Sequence, residues 1–139
     1  MTLNIDDTAT AELTVAESDL ATALEQTAAD GFPPVFATAR MVGLMKLAAS
    51  RLLHNELAEG ELSVVVNVVV EHTAPTPLGA KVTATARYLG REDKFYLFEI
   101  KRCWRRDRCG HAQARYRLIL KNSQRCRAAL QSLIIFNVW

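Results

Sequence analysis

Thr38-Ala39-Arg40-Met41-Val42-Gly43-Leu44-Met45-Lys46-Leu47-Ala48-Ala49-Ser50-Arg51-Leu52-Leu53 is the stretch that decides the fold. Met41, Leu44, Met45, Ala48, Leu52 and Leu53 recur at the three-and-four spacing of one buried helical face, while Arg40, Gly43, Arg51 and His54 fall on the other side. Thr38 is placed to cap the helix start, because a threonine hydroxyl can accept a bond from an amide two or three residues on. Gly60 is a natural stop, so a helix is expected from Thr38 to about Leu57. A helix with one mainly apolar face needs a sheet to cover it.

Downstream the pattern changes to period two. Glu61 to His72, Ala80 to Gly90, Lys94 to Trp104 and His111 to Lys121 are rich in β-branched or aromatic residues and read as four successive strands. Short connections at Gly90-Arg91-Glu92-Asp93 and Arg106-Asp107-Arg108-Cys109-Gly110 favour antiparallel neighbours, so a meander is expected. Alternation assigns one face to Leu62, Val64, Val66, Val68, Val70 and His72. It assigns the matching face to Val82, Ala84, Ala86 and Tyr88, to Tyr96, Phe98 and Ile100, and to Ala112, Ala114, Tyr116, Leu118 and Leu120. The small residues among them would let the helix approach the sheet closely.

Upstream, Ala11 to Glu17 has the alternation of a short strand and Asp19 to Thr27 has helical propensity. Ala29-Asp30-Gly31-Phe32-Pro33-Pro34 then breaks the chain, and a loop delivers it to the helix. The expected fold class is α+β, one long central helix wrapped by a curved antiparallel β-sheet. Residues 1–121 are expected to form a single domain, followed over 122–139 by a basic and then apolar tail.

Composition narrows the function. Half of the 139 residues are hydrophobic and 23% are charged, which suits a globular core, and a net charge of +2 is too mild to imply nucleic acid. The first ten residues carry Asp6 and Asp7 without a basic or apolar leader segment, and no apolar run approaches the roughly 20 residues of a membrane span. The expectation is a cytoplasmic chain that binds neither membrane nor nucleic acid. Cys103, Cys109 and Cys126 are odd in number and lack zinc-site spacing, so they read as reduced, structural thiols.

There is no phosphate-binding glycine loop, no HExxH and no GxSxG. What remains is His72, at the inward end of the valine strand and followed by the rigid Thr73-Ala74-Pro75-Thr76-Pro77-Leu78-Gly79. An imidazole held by a rigid turn is a natural general base near neutral pH, and a strand-end histidine bonded to backbone is the plainer alternative. His54 and His111 read as solvated. Lys101, Arg102, Arg105, Arg106, Arg108, Arg115 and Arg117 read as a solvated charged edge or as a grip for phosphates.

Pro34 to Met45, then Gly60-Glu61-Leu62-Ser63-Val64, then His72 to Gly79 together resemble the hotdog-fold thioesterases of the fluoroacetyl-CoA thioesterase-like group, over about residues 10 to 121. The resemblance implies hydrolysis of a small acyl-CoA thioester by a homodimer, with a tetramer of two such dimers as the alternative assembly. Coenzyme A would enter only as part of the substrate, and no other cofactor or metal is implied. It assigns catalytic places to Thr38, to His72 and to the position of Lys46, and substrate contacts to Phe36, Val42, Arg115 and Arg117. Lys46 stands where the family commonly has glutamate. An ammonium does not accept a proton unless its pKa is strongly lowered. Either another carboxylate such as Glu25 or Asp30 substitutes, or Lys46 is deprotonated or binds an acidic acyl group, or the chain binds acyl-CoA without turning it over. A hydratase is a weaker reading, since no paired Asp and His opens the helix.

Overall fold

The computed structural model describes residues 2–105 and 108–120, with 109–120 as backbone. Five strands and one helix follow in the order β1 (Thr8–Thr14), α1 (Thr38–Leu53), β2 (Glu61–Val70), β3 (Lys81–Glu92), β4 (Phe95–Arg105) and β5 (Arg108–Leu120). They form one antiparallel sheet in the order β1-β3-β4-β5-β2. The meander expected of all four later strands therefore holds only for β3, β4 and β5. β2 pairs with β5 instead of β3, so the chain between β2 and β3 crosses the sheet.

α1 lies chiefly over β1 and β3. Met41, Met45, Ala48, Ala49 and Leu53 are buried against Ala11, Val82, Ala84, Ala86, Phe98 and Ile100. The alanines remove side-chain bulk where the helix axis crosses the sheet, which is the close approach their spacing implies. α1 ends at Leu53 and a single 3-10 turn, His54–Glu56, continues to the loop before β2, so the regular helix is shorter than expected. Between β1 and α1 the anticipated helix is replaced by three short 3-10 turns, Glu17–Asp19, Ala21–Leu24 and Ala28–Asp30. Isolated segments of that length have too few intrahelical bonds to offset the cost of starting a helix.

Parity is correct for β3 and β4 and fails in the first half of β2. A bulge between Val65 and Asn67 places an extra residue in the strand and reverses its alternation. Val65, Val68 and Val70 pack on the core while Leu62, assigned inward from the sequence, is exposed. Cys103 is disulfide-bonded, which corrects the expectation of reduced thiols, and its cross-strand register partner is Cys109. Among the described residues no helix is long and apolar enough to cross a membrane.

Candidate active site

Two segments with no regular strand or helix meet at the start of α1. The first, 33–37, is held on both sides. The Phe36 amide donates to the Thr76 carbonyl at 2.8 Å, the Ala37 amide to the Asp19 carbonyl at 2.9 Å, and the Ala21 amide to the Val35 carbonyl at 2.8 Å. Phe36 is buried and anchors the segment to the core. The second segment, 71–80, leaves β2 after Val70 and is pinned at its far end, where the Gly79 amide donates to the Val15 carbonyl at 2.8 Å. Gly79 has φ 81°, a left-handed conformation that a side chain would strain.

These constraints bring Thr38 Oγ1 and His72 Nδ1 to 2.8 Å. The hydroxyl is the donor when the ring carries its proton on Nε2, and the ring is the donor when the proton is on Nδ1. Thr38 is the first helical residue and Ala37 holds the capping position without a side-chain cap, so the expected role of Thr38 as cap is corrected. Its hydroxyl is directed to the imidazole instead. His72 lies two residues beyond the end of β2 and is half-buried, with Nε2 enclosed and, among the described residues, without a hydrogen-bond partner. Burial, and then the charge of Arg102, lower its pKa from 6.5, against an opposing effect of the Ala74 backbone. The imidazole is therefore neutral at physiological pH.

A cavity of about 360 Å³ opens beside the pair, lined by Ala21, Pro33, Val35, Phe36, Ala37, Thr38, His72 and Thr73 to Pro75. The first turn of α1 begins at its wall. Amides at a helix start lack intrahelical acceptors and carry the positive end of the helix dipole, so they suit an oxygen that gains negative charge.

Of the residues expected at the site, Thr38, His72 and Phe36 come together. Val42 is half-buried and Lys46 is exposed, and neither lines the cavity in the single chain. Arg115 and Arg117 belong to β5, and their side chains lie outside the described residues. Neither substitute carboxylate reaches His72. Glu25 Oε1 accepts from the Phe32 amide at 2.7 Å, and Asp30 Oδ2 accepts from the amides of Gln26 at 2.8 Å and Thr27 at 2.9 Å, bonds that lower the Asp30 pKa. Both carboxylates order the loop ahead of α1.

Sequence reasoning missed Arg102 and Thr76. By sequence Arg102 reads as part of a solvated edge or of a phosphate grip, yet it is fully buried, and burial lowers its pKa. The signal was available: residues 96, 98, 100 and 102 share one side of β4, and the first three had been assigned inward.

The profile of the FlK family, described as fluoroacetyl-CoA-specific thioesterase, matches residues 15–123. A curated relative, the fluoroacetyl-CoA thioesterase of Streptantibioticus cattleyicolor, is 51% identical over 55 residues, and the match spans 40% of this chain and 40% of that protein. The solved structure of the fluoroacetyl-CoA thioesterase FlK superimposes with a TM-score of 0.84 at 27% identity, covering 95% of this chain and 98% of FlK. A thioesterase superfamily member from Thermus thermophilus, at 21% identity, shares the fold with a TM-score of 0.80 over 97% of this chain and 96% of its own. The profile spans most of the chain and includes both segments that meet at α1, so this protein belongs to the fluoroacetyl-CoA-specific thioesterase family and has its hotdog fold.

Proposed function

We propose that this chain hydrolyses a small acyl-CoA thioester, with Thr38 and His72 at the reacting centre. The observation that carries the reading is the 2.8 Å contact of a hydroxyl with a neutral imidazole at a cavity floored by a helix start. His72 Nε2 is enclosed, so Nδ1 is the nitrogen that communicates with the cavity, through Thr38. Water attacks the thioester carbonyl carbon and gives its proton to Thr38 Oγ1 as the hydroxyl proton passes to Nδ1. The carbonyl oxygen, now negative, is stabilised by the amides opening α1. Collapse of the tetrahedral intermediate breaks the carbon–sulfur bond, and the proton held by His72 returns through Thr38 to the coenzyme A sulfur. Phe36 supplies an apolar wall, and Val42, Lys46, Arg115 and Arg117 are proposed to complete the substrate contacts in a cytoplasmic homodimer. Thiol release from a panel of short acyl-CoA thioesters tests this. His72→Ala is expected to lower kcat/KM about 10²-fold or more, and an unchanged value removes His72 from the mechanism.

Lys46 favours a second reading, an acyl-CoA binding protein without turnover. Saturable binding without hydrolysis in the wild type, with hydrolysis gained on Lys46→Glu, supports it; robust wild-type turnover eliminates it.

A further inference from the structure

Arg102 is a buried cation that the mechanism above does not use. It is fully buried in β4, Nη1 donates to Thr76 Oγ1 at 3.0 Å, and Nε and Nη2 are enclosed with no hydrogen-bond partner among the described residues. No carboxylate pairs with it among the described residues. A buried guanidinium with one of its five donors bonded among the described residues is a poor packing element, since an apolar side chain of similar volume would fill the space without the desolvation cost.

Its one partner explains its position. Thr76 is also fully buried and belongs to the crossing segment four residues after His72, and its carbonyl accepts from the Phe36 amide, two residues before Thr38. Thr76 is thus bonded to both segments that present the reacting pair, and Arg102 fixes Thr76 from the sheet. We propose that Arg102 is a positioning residue, holding Thr76 from the sheet so that His72 meets Thr38. This rests on the hydrolase reading only for the part that concerns turnover.

Among the residues whose side chains are described, Arg102 is the charge that bears most on the ring. No other residue lining the cavity is ionisable. On the elements around it, Glu71 precedes His72 and is exposed, Arg40 in the first turn of α1 is exposed, and Asp19 is engaged with the Ala16 amide at 2.9 Å. After burial, Arg102 is the main influence that lowers the His72 pKa. Sign follows directly: removing the cation raises the pKa, so the protonated, inactive ring persists to higher pH.

The experiment follows the His72 ring by NMR titration in the wild type, Arg102→Met, Arg102→Lys and Thr76→Val, alongside kcat/KM from pH 5 to 9. Arg102→Met should titrate at higher pH than the wild type, with activity at pH 6 relative to pH 8 reduced about threefold or more. Arg102→Lys should restore the low titration, which a merely structural role would not do. Thr76→Val keeps the charge and loses the tether, so its kcat should fall about tenfold with displaced His72 ring resonances. Identical His72 titration in folded wild type, Arg102→Met and Arg102→Lys overturns the proposal. If Arg102→Met does not fold, a Thr76→Val protein with wild-type ring resonances overturns it equally. The titration needs no substrate, so a wild type that turns nothing over defeats the hydrolase reading and leaves this one to be decided by the ring.

Discussion

At the residue scale the proposed site is a hydroxyl bonded to an imidazole, with the buried guanidinium of Arg102 bonded to Thr76 in the same crossing segment. Thr38→Val removes the hydroxyl that links His72 to the cavity and is expected to lower kcat about 10²-fold with little change in thermal midpoint, whereas Thr38→Ser retains most activity. Steady-state kinetics beside a melting curve separate the two effects. His72 also makes folding sensitive to acid. Its folded pKa lies below 6.5, so between 6.5 and that lower value the unfolded chain takes up the proton first. Stability is therefore expected to be full above pH 6.5 and to fall as pH drops through this window, a slope that His72→Phe should remove in urea titrations. The pairing of Thr38 with His72 is implied by the family resemblance; the local signals alone offer Thr38 as a cap and leave His72 between a general base and a backbone-bonded strand end. Arg102 is not legible, because charge usually reports the surface and only its place in the alternation of β4 contradicts that habit.

At the element scale the fold depends on small residues beneath α1. Ala84 is fully enclosed where the helix crosses β3, and Ala84→Leu is expected to cost about 1–3 kcal/mol through overpacking, read as a lower urea midpoint. Helix, strand number and the alternation of β3 and β4 all follow from periodicity. The reversed half of β2 does not, since a single extra residue such as the one near Val66 leaves no mark on a run of valines. Nor does the loop over 15–36, whose short turns are fixed by carboxylates such as Asp19 and Asp30 accepting backbone bonds.

At the scale of the whole molecule the sheet of the described residues has two edge strands, β1 and β2. β1 is guarded by the Glu12–Lys81 ion pair at 3.1 Å, whereas β2 presents Leu62 at 36% and Val69 at 62% exposure. Edge-to-edge association is therefore proposed through β2. The protein should sediment as a dimer at micromolar concentration, and Leu62→Asp with Val69→Asp should shift it to the monomer; a monomeric wild type refutes the assembly. The order β3-β4-β5 was legible but the place of β2 was not, because a short turn specifies a neighbour and a crossing segment does not.

That crossing has a temporal side. β2 finds its ladder partner in β5, about fifty residues later in the chain, and His72 hangs from the end of β2 in a span that passes two intervening strands, roughly 14 Å at ordinary strand spacing. A ribosome that has delivered everything through β4 has already emitted the hydroxyl, the imidazole and the guanidinium, yet the ribbon bearing the imidazole still has nothing to zip against. Competence must arrive abruptly, when β5 emerges.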